Sequence, residues 1–190
     1  MPWHSQSGIE SRAYKCGFCG NQVASATGYY TSTGPRRRLL ICPHCDRPTL
    51  FDEADRQTPG ISYGNAVEHV PADVNALYNE ARKCFSVGCF TASVLTCRKL
   101  LMNIGVAQGA KSGGSFLSYV DHLASNGFVP PNGRGWVDHI RQRGNEATHE
   151  IHLMTSQDAQ ELIGFSEMLL KFIYEFPSRI PPAPPAPPSP

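Results

Sequence analysis

The chain has 190 residues, 41% hydrophobic and 17% charged, with a net charge of +1; that length allows one main domain, or one main domain with a small module that needs outside help to fold. Its apolar runs are short and broken by charge, which excludes a membrane-spanning helix of about eighteen residues or more. The start, MPWHSQSGIESRAYK, has no apolar stretch of the kind a secretory signal needs, so the expected address is the cytoplasm.

Charge and cysteine are unevenly spread. Residues 1–50 carry six Lys/Arg against two Asp/Glu, while residues 51–190 carry eleven against fourteen. The positive surplus therefore belongs to the N-terminal part, the better electrostatic match for a polyanion. Of the seven cysteines, four fall in two C-x-x-C pairs near the start. Cys84, Cys89 and Cys97 lie among apolar helical positions, where a free thiol packs as a small hydrophobe. The odd count and this placement speak against a disulfide framework and for a reducing compartment.

The first module, residues 1–51, holds Cys16 and Cys19 in one knuckle and Cys42 and Cys45 in the other, with twenty-two residues between the pairs. Short β-prone runs, YYT, RRLLI and PTLF, surround them. Glycine or proline beside each pair permits the tight turn that aims two thiolates at one point. Four thiolates at these spacings make a tetrahedral Zn²⁺ site of the zinc-ribbon kind; redox pairs or unliganded thiols are the plainer alternative. With all four positions filled the ion is structural, because no open position remains for water or substrate. So small a segment also needs the metal to fold. His44, inside the second knuckle, is expected to face solvent. Arg36, Arg37 and Arg38 stand at a hairpin turn and strand start. They form either a solvated turn or, on a basic ribbon, a phosphate-contacting cluster for RNA or other nucleic acid.

Residues 52–69 are mixed and polar and read as a linker. From residue 70 to 177 the apolar spacing is helical. A first helix places Val74, Leu77, Ala81 and Phe85 on one face, with Pro71 near its N-terminus and Gly88 closing it. A second carries Phe90, Val94, Cys97, Leu101 and Ile104 and is expected to end at Gly105; the two make an antiparallel pair. After a Gly/Ser loop at 109–115, Phe116, Val120 and Leu123 mark a shorter helix stopped at Gly127. A fourth begins with Trp136 and Ile140 and runs into RQRGNEATHEIH at 141–152. The last opens on a capping-box pattern at Thr155 and Asp158, turns Ala159, Leu162, Leu169, Ile173 and Phe176 inward, and stops at Pro177. The main domain is thus an all-α bundle of about five helices behind a small β-rich ribbon. Residues 178–190 form a proline-rich tail whose PPAPPAPPSP end favours polyproline II.

Taken together, VPADVNALYNEARKCFSVGCFTASVLTCRKLL, SYVDHLASNG and IRQRGNEATH resemble the DUF4145 family, helical domains related to the HEPN superfamily, over about residues 70–176. The closing segment is the specific part, an Arg-x-x-Gly-Asn-x-Ala-x-His run met by Arg141, Gly144, Asn145, Ala147 and His149. The resemblance implies a HEPN-like bundle, frequently a homodimer, in proteins of defence and restriction context with a defence-system partner. HEPN ribonucleases carry an R-x(4–6)-H motif, which Arg143 and His149 satisfy with five residues between them, whereas Arg141 and His149 have seven between them. In the second helix Arg98 is kept, but Met102 stands where the family pattern has an acid.

Chemistry of that kind needs no metal. A histidine near neutral pKa takes the ribose 2′-OH proton, and an arginine stabilises the charged phosphorane. On an ideal helix Arg143 and His149 lie about 120° apart, and Arg141 and His149 about 80°; Gly144 and Asn145 can bend or cap the segment. The catalytic candidates are therefore Arg141, Arg143, Asn145 and His149. Against this stands a structural use, in which the arginines pair with neighbouring carboxylates, Asn145 caps a turn and His149 bonds across helices. Three functions are open, the first two being a nucleic-acid-associated protein acting as a metal-independent endoribonuclease and a non-catalytic zinc-ribbon and dimerisation module acting as sensor or adaptor. An adaptor that recruits a partner through the proline tail is the third. Walker, GxSxG and paired-carboxylate motifs are absent from the sequence, which leaves NTPase, serine-hydrolase and two-metal nuclease readings without support.

Overall fold

The computed structural model describes residues 3–130, 135–140 and 153–180. The chain begins with a five-stranded antiparallel meander in the order β1-β2-β3-β4-β5. Its strands are β1 (Ser7–Lys15), β2 (Gln22–Tyr30), β3 (Arg38–Ile41), β4 (Pro48–Phe51) and β5 (Gln57–Thr58). Two of its hairpins end on cysteine knuckles: Lys15 pairs with Gln22 across the first, and Ile41 with Pro48 across the second. Tyr14, Leu40 and Phe51 form a small buried cluster with Cys16 and Cys42, Tyr14 and Phe51 meeting edge to face at 5.4 Å. A core of this size buries too little apolar surface to hold a sheet unaided.

The helical part packs around α2 (Phe90–Ala107), with α1 (Ala72–Ser86), α3 (Phe116–Ser125) and α5 (Ser156–Leu170) against it. Residues 135–140 are helical as well (α4). Val94, Cys97, Leu100, Leu101 and Ile104 of α2 are fully buried, as are Leu123, Ile140, Leu162 and Leu169. The helix ends follow from local chemistry. After α1, the Gly88 N–H donates to Phe85 O and the Cys89 N–H to Cys84 O, a Schellman closure that needs the left-handed φ of +80° at Gly88. Thr155 and Asp158 make the expected reciprocal capping box at the start of α5.

Two helix boundaries differ from the sequence expectation. α2 does not stop at Gly105 but continues to Ala107. Gly105 is a packing glycine: a Cβ there would stand 2.9 Å from Tyr119 Cδ1, so the missing side chain lets α3 lie against α2. At the C-terminus α5 passes into a single π turn, Lys171–Glu175, and a short α6 (Phe176–Ser178) with Pro177 in its first turn. A π turn accommodates one extra residue, which rotates the next helical residues by about 100°. Phe176, expected inside, is accordingly 43% exposed.

Residues 52–69 contain β5 and then a strap laid over the bundle. The Gly60 N–H donates to Ser86 O at 2.7 Å, and Tyr78 O–H to the Asn65 carbonyl at 3.0 Å. Val67 is buried in the helical core. Asn65 donates to Glu167 of α5 from its backbone N–H at 2.9 Å and from Nδ2 at 3.0 Å.

Candidate metal centre and basic surfaces

The sheet brings Cys16, Cys19, Cys42 and Cys45 together, their Sγ atoms within 4.8 Å of one another. The two knuckles repeat one backbone pattern. In the first, Cys16 N–H donates to Asn21 O and Gly20 N–H to Cys16 O; in the second, Cys42 N–H donates to Arg47 O and Asp46 N–H to Cys42 O. The fifth residue of each turn has positive φ, +73° at Gly20 and +57° at Asp46, and aspartate is among the few side chains that tolerate it. Cys16 and Cys45 Sγ are 3.8 Å apart, as are Cys19 and Cys42. A tetrahedral ion with metal–sulfur bonds of about 2.3 Å sets its sulfurs about 3.8 Å apart, whereas a disulfide needs about 2.05 Å. The donor set thus fits one tetrahedral metal ion held by all four cysteines. His44 is exposed.

The thiols oppose one another without a cation. Burial pushes Cys16 and Cys45 up, Cys45 to about 12, against the pull of backbone N–H groups. Burial also works upward on Cys19, but the Asn21 amide and the adjoining thiols draw it down to about 6. Four sulfurs this close cannot all ionise unless positive charge enters among them.

Arg36 and Arg37 precede β3 and Arg38 opens it, and each is paired. Arg36 meets Glu10 at 3.0 Å, Arg37 meets Glu53 at 2.7 Å, and Arg38 meets Asp55 at 3.2 Å. The Arg37 guanidinium in turn holds the Glu53 carboxyl below its usual range. A phosphate arriving here would have to displace those carboxylates.

A second basic surface was not singled out from the sequence. A cavity of about 760 Å³ opens between the first knuckle and α1, with Lys15, Phe18, Arg47, Arg82 and Lys83 among the residues around it. Its cations come from the end of β1, the second knuckle and a helix face. Lys15 and Arg47 flank the cysteine pairs, a local signal that could have been noticed. Arg82 and Lys83 look in sequence like an ordinary solvated helix face.

Arg141, Arg143, Asn145 and His149 lie outside the described residues, as does the 181–190 part of the tail. The residues on either side are anchored to the bundle. Ile140 is buried, Trp136 meets Phe165 edge to face at 5.1 Å, and His139 Nε2 lies 2.5 Å from a Glu161 oxygen. On the far side the Met154 N–H donates to Thr91 Oγ1 of α2 at 3.0 Å. Arg98 is buried with its guanidinium 4.4 Å from the Phe116 ring centroid and Nη1 without a partner.

A four-thiol cluster able to hold a metal ion on a small antiparallel sheet, strapped to an α-helical bundle, defines a two-part protein with a cysteine-knuckle module and an all-α domain. The chain belongs to the DUF4145 family, described as a domain of unknown function, whose family model matches residues 79–181, more than half of the chain. Comparison with curated proteins finds no match, and comparison with solved structures finds none either. No helix among the described residues is long and apolar enough to cross a membrane.

Proposed function

We propose that this protein is nucleic-acid-associated: a zinc ribbon joined to a HEPN-like DUF4145 bundle that acts on, or docks to, RNA. The observation that carries the reading is the four-thiol cluster. A site closed by four cysteines has no position left for a substrate, so its ion, Zn²⁺ by donor chemistry, is structural. A structural ion that folds a module of surplus positive charge builds a binding surface for a polyanion. The family resemblance supports the HEPN-like architecture, a homodimer, and a cytoplasmic role beside a defence-system protein.

The test is binding of single-stranded RNA and DNA by the zinc-loaded chain as salt is varied. Affinity should fall steeply with salt, because cations released from phosphates drive the association. Absence of binding at low salt overturns the reading.

A second reading, metal-independent RNA cleavage, is supported by the five-residue spacing of Arg143 and His149. It predicts that His149→Ala abolishes cleavage with the fold intact, and that wild-type activity survives EDTA under conditions that leave the ribbon's metal in place. Arg141→Ala and Arg143→Ala should differ, the larger loss marking the phosphate-binding arginine. If no RNA is cut and His149→Ala only lowers stability, by about 1–3 kcal/mol, the motif is structural and the protein is the non-catalytic sensor or adaptor.

A further inference from the structure

We propose that the cavity between the first knuckle and α1 binds a nucleotide phosphate, with Lys15, Arg47 and Lys83 meeting the phosphate and Phe18 stacking on the base. This rests on the nucleic-acid reading and deepens it, moving the point of contact from the Arg36–Arg38 turn to the junction of the two parts of the molecule. The cavity, about 760 Å³, is within the size range of ligand pockets. Four cations line it, and among the described residues no carboxylate does.

The distribution of ion pairs gives that charge its meaning. Arg12, Arg36, Arg37, Arg38, Arg56, Lys171 and Arg179 each face an acid. Among the described residues none of Lys15, Arg47, Arg82 and Lys83 does. Arg82 is locked in place, donating to Tyr63 O at 3.0 Å, Gly64 O at 2.9 Å and Asn79 Oδ1 at 2.9 Å. All three acceptors are neutral. The Glu167 carboxylate stands just behind the wall, its Oε2 3.1 Å from where a Cβ on Gly64 would sit, but it does not line the cavity and is paired with Lys171.

The cations come from both parts of the molecule, Lys15 and Arg47 from beside the knuckles and Arg82 and Lys83 from α1. Like charges gathered in a concave site repel one another until an anion enters, and the same concavity focuses their field on it. The apolar side of the ligand is met by Phe18, 45% exposed, with the Arg47 guanidinium 5.2 Å from its ring centroid. An aromatic ring paired with arginine is a stacking platform for a base of any identity.

The ligand is either a free nucleotide or a unit of a single strand, and two probes separate them: AMP and a short 5′-phosphorylated oligoribonucleotide, each titrated into the zinc-loaded full chain. Lys15→Glu/Lys83→Glu should weaken binding roughly tenfold or more and flatten the slope of log affinity on log salt by about one to two units. Phe18→Ser should weaken binding while leaving the slope unchanged. Arg36→Ala/Arg37→Ala/Arg38→Ala should leave affinity within about twofold, since those cations are already paired. Lys15→Gln/Lys83→Gln serves if the reversal variant loses zinc or helicity, and should fall between it and wild type. Oligonucleotide binding that is unchanged in the lysine variants overturns the cavity and spares the nucleic-acid reading. AMP binding that depends on the lysines, with no oligonucleotide bound, supports the cavity and overturns that reading. Failure of both probes overturns both.

Discussion

Arg98 shows how a single side chain can be legible in type and illegible in role. The sequence marks it because Met102 stands where an acid is expected one turn later. It cannot show that Arg98 is buried, with Nη1 unpartnered and its charge resting on Phe116. Desolvation lowers the pKa of the guanidinium, the mark of a cation held where water does not reach it. Exchanging a buried cation that has no ion pair among the described residues for an apolar chain of similar length removes its desolvation cost. Arg98→Met should therefore raise the urea midpoint, whereas Arg98→Ala, which also removes the packed stem, should lower it. A large loss of stability in Arg98→Met would show that the guanidinium is compensated.

Glu167 is the opposite case, a partly buried acid with ample partners. Burial pushes its carboxyl up, but Lys171 and both Asn65 donors outweigh burial and hold it below the usual range. A depressed folded pKa gives stability that is complete above the unfolded value of about 4.3 and is lost as pH falls through the folded one. Glu167→Gln should cost about 1–3 kcal/mol near neutral pH, with the difference from wild type closing in strong acid. Parallel urea curves at both pH values would contradict the linkage. Nothing in the local sequence pairs Glu167 with Asn65, because the contact spans 102 positions.

At the scale of elements, the most legible features are those written within a few residues. The C-x-x-C pairs fix their own turns, and the knuckles form as expected around a four-thiol cluster. The capping box at Thr155 and Asp158 is equally local. The features that sequence periodicity misread were decided by neighbours: Gly105 stays helical because Tyr119 needs its space, and Phe176 turns outward because a π turn shifts the register. The division of labour between the two cores leads to a prediction. The sheet cluster buries few side chains, while the helical core is extensive and contains none of the four knuckle cysteines. The wild-type chain should hold one zinc ion, and Cys42→Ser should lower that content and melt the sheet, leaving the helical circular-dichroism signal near its wild-type value. Full zinc content in that variant, or loss of the helices with the sheet, would break the assignment.

Across the whole molecule the open question is how the sheet is held to the bundle, and the answer lies in a backbone contact that composition could not reveal. Gly17, in the first knuckle, faces the strap so closely that a Cβ would sit 2.4 Å from both Gly60 O and Pro59 O. Gly60 is in turn bonded to the end of α1 through Ser86 O. The knuckle, the strap and α1 thus meet with no space for a side chain, and Gln57 ties them by donating to Lys15 O at 2.9 Å and Pro59 O at 3.0 Å. Gly17→Ala places a methyl against two carbonyl oxygens that cannot swing aside as a side chain would. Overpacking of this kind costs about 1–3 kcal/mol. The cysteines and the helical core are untouched, so metal content should remain at the wild-type level. The loss should instead appear between the parts: the strand and helix signals, expected to melt together in wild type, should separate into two transitions in urea. A single transition at the wild-type midpoint would mean that the strap yields freely and that the sheet is joined to the bundle by chain connectivity alone.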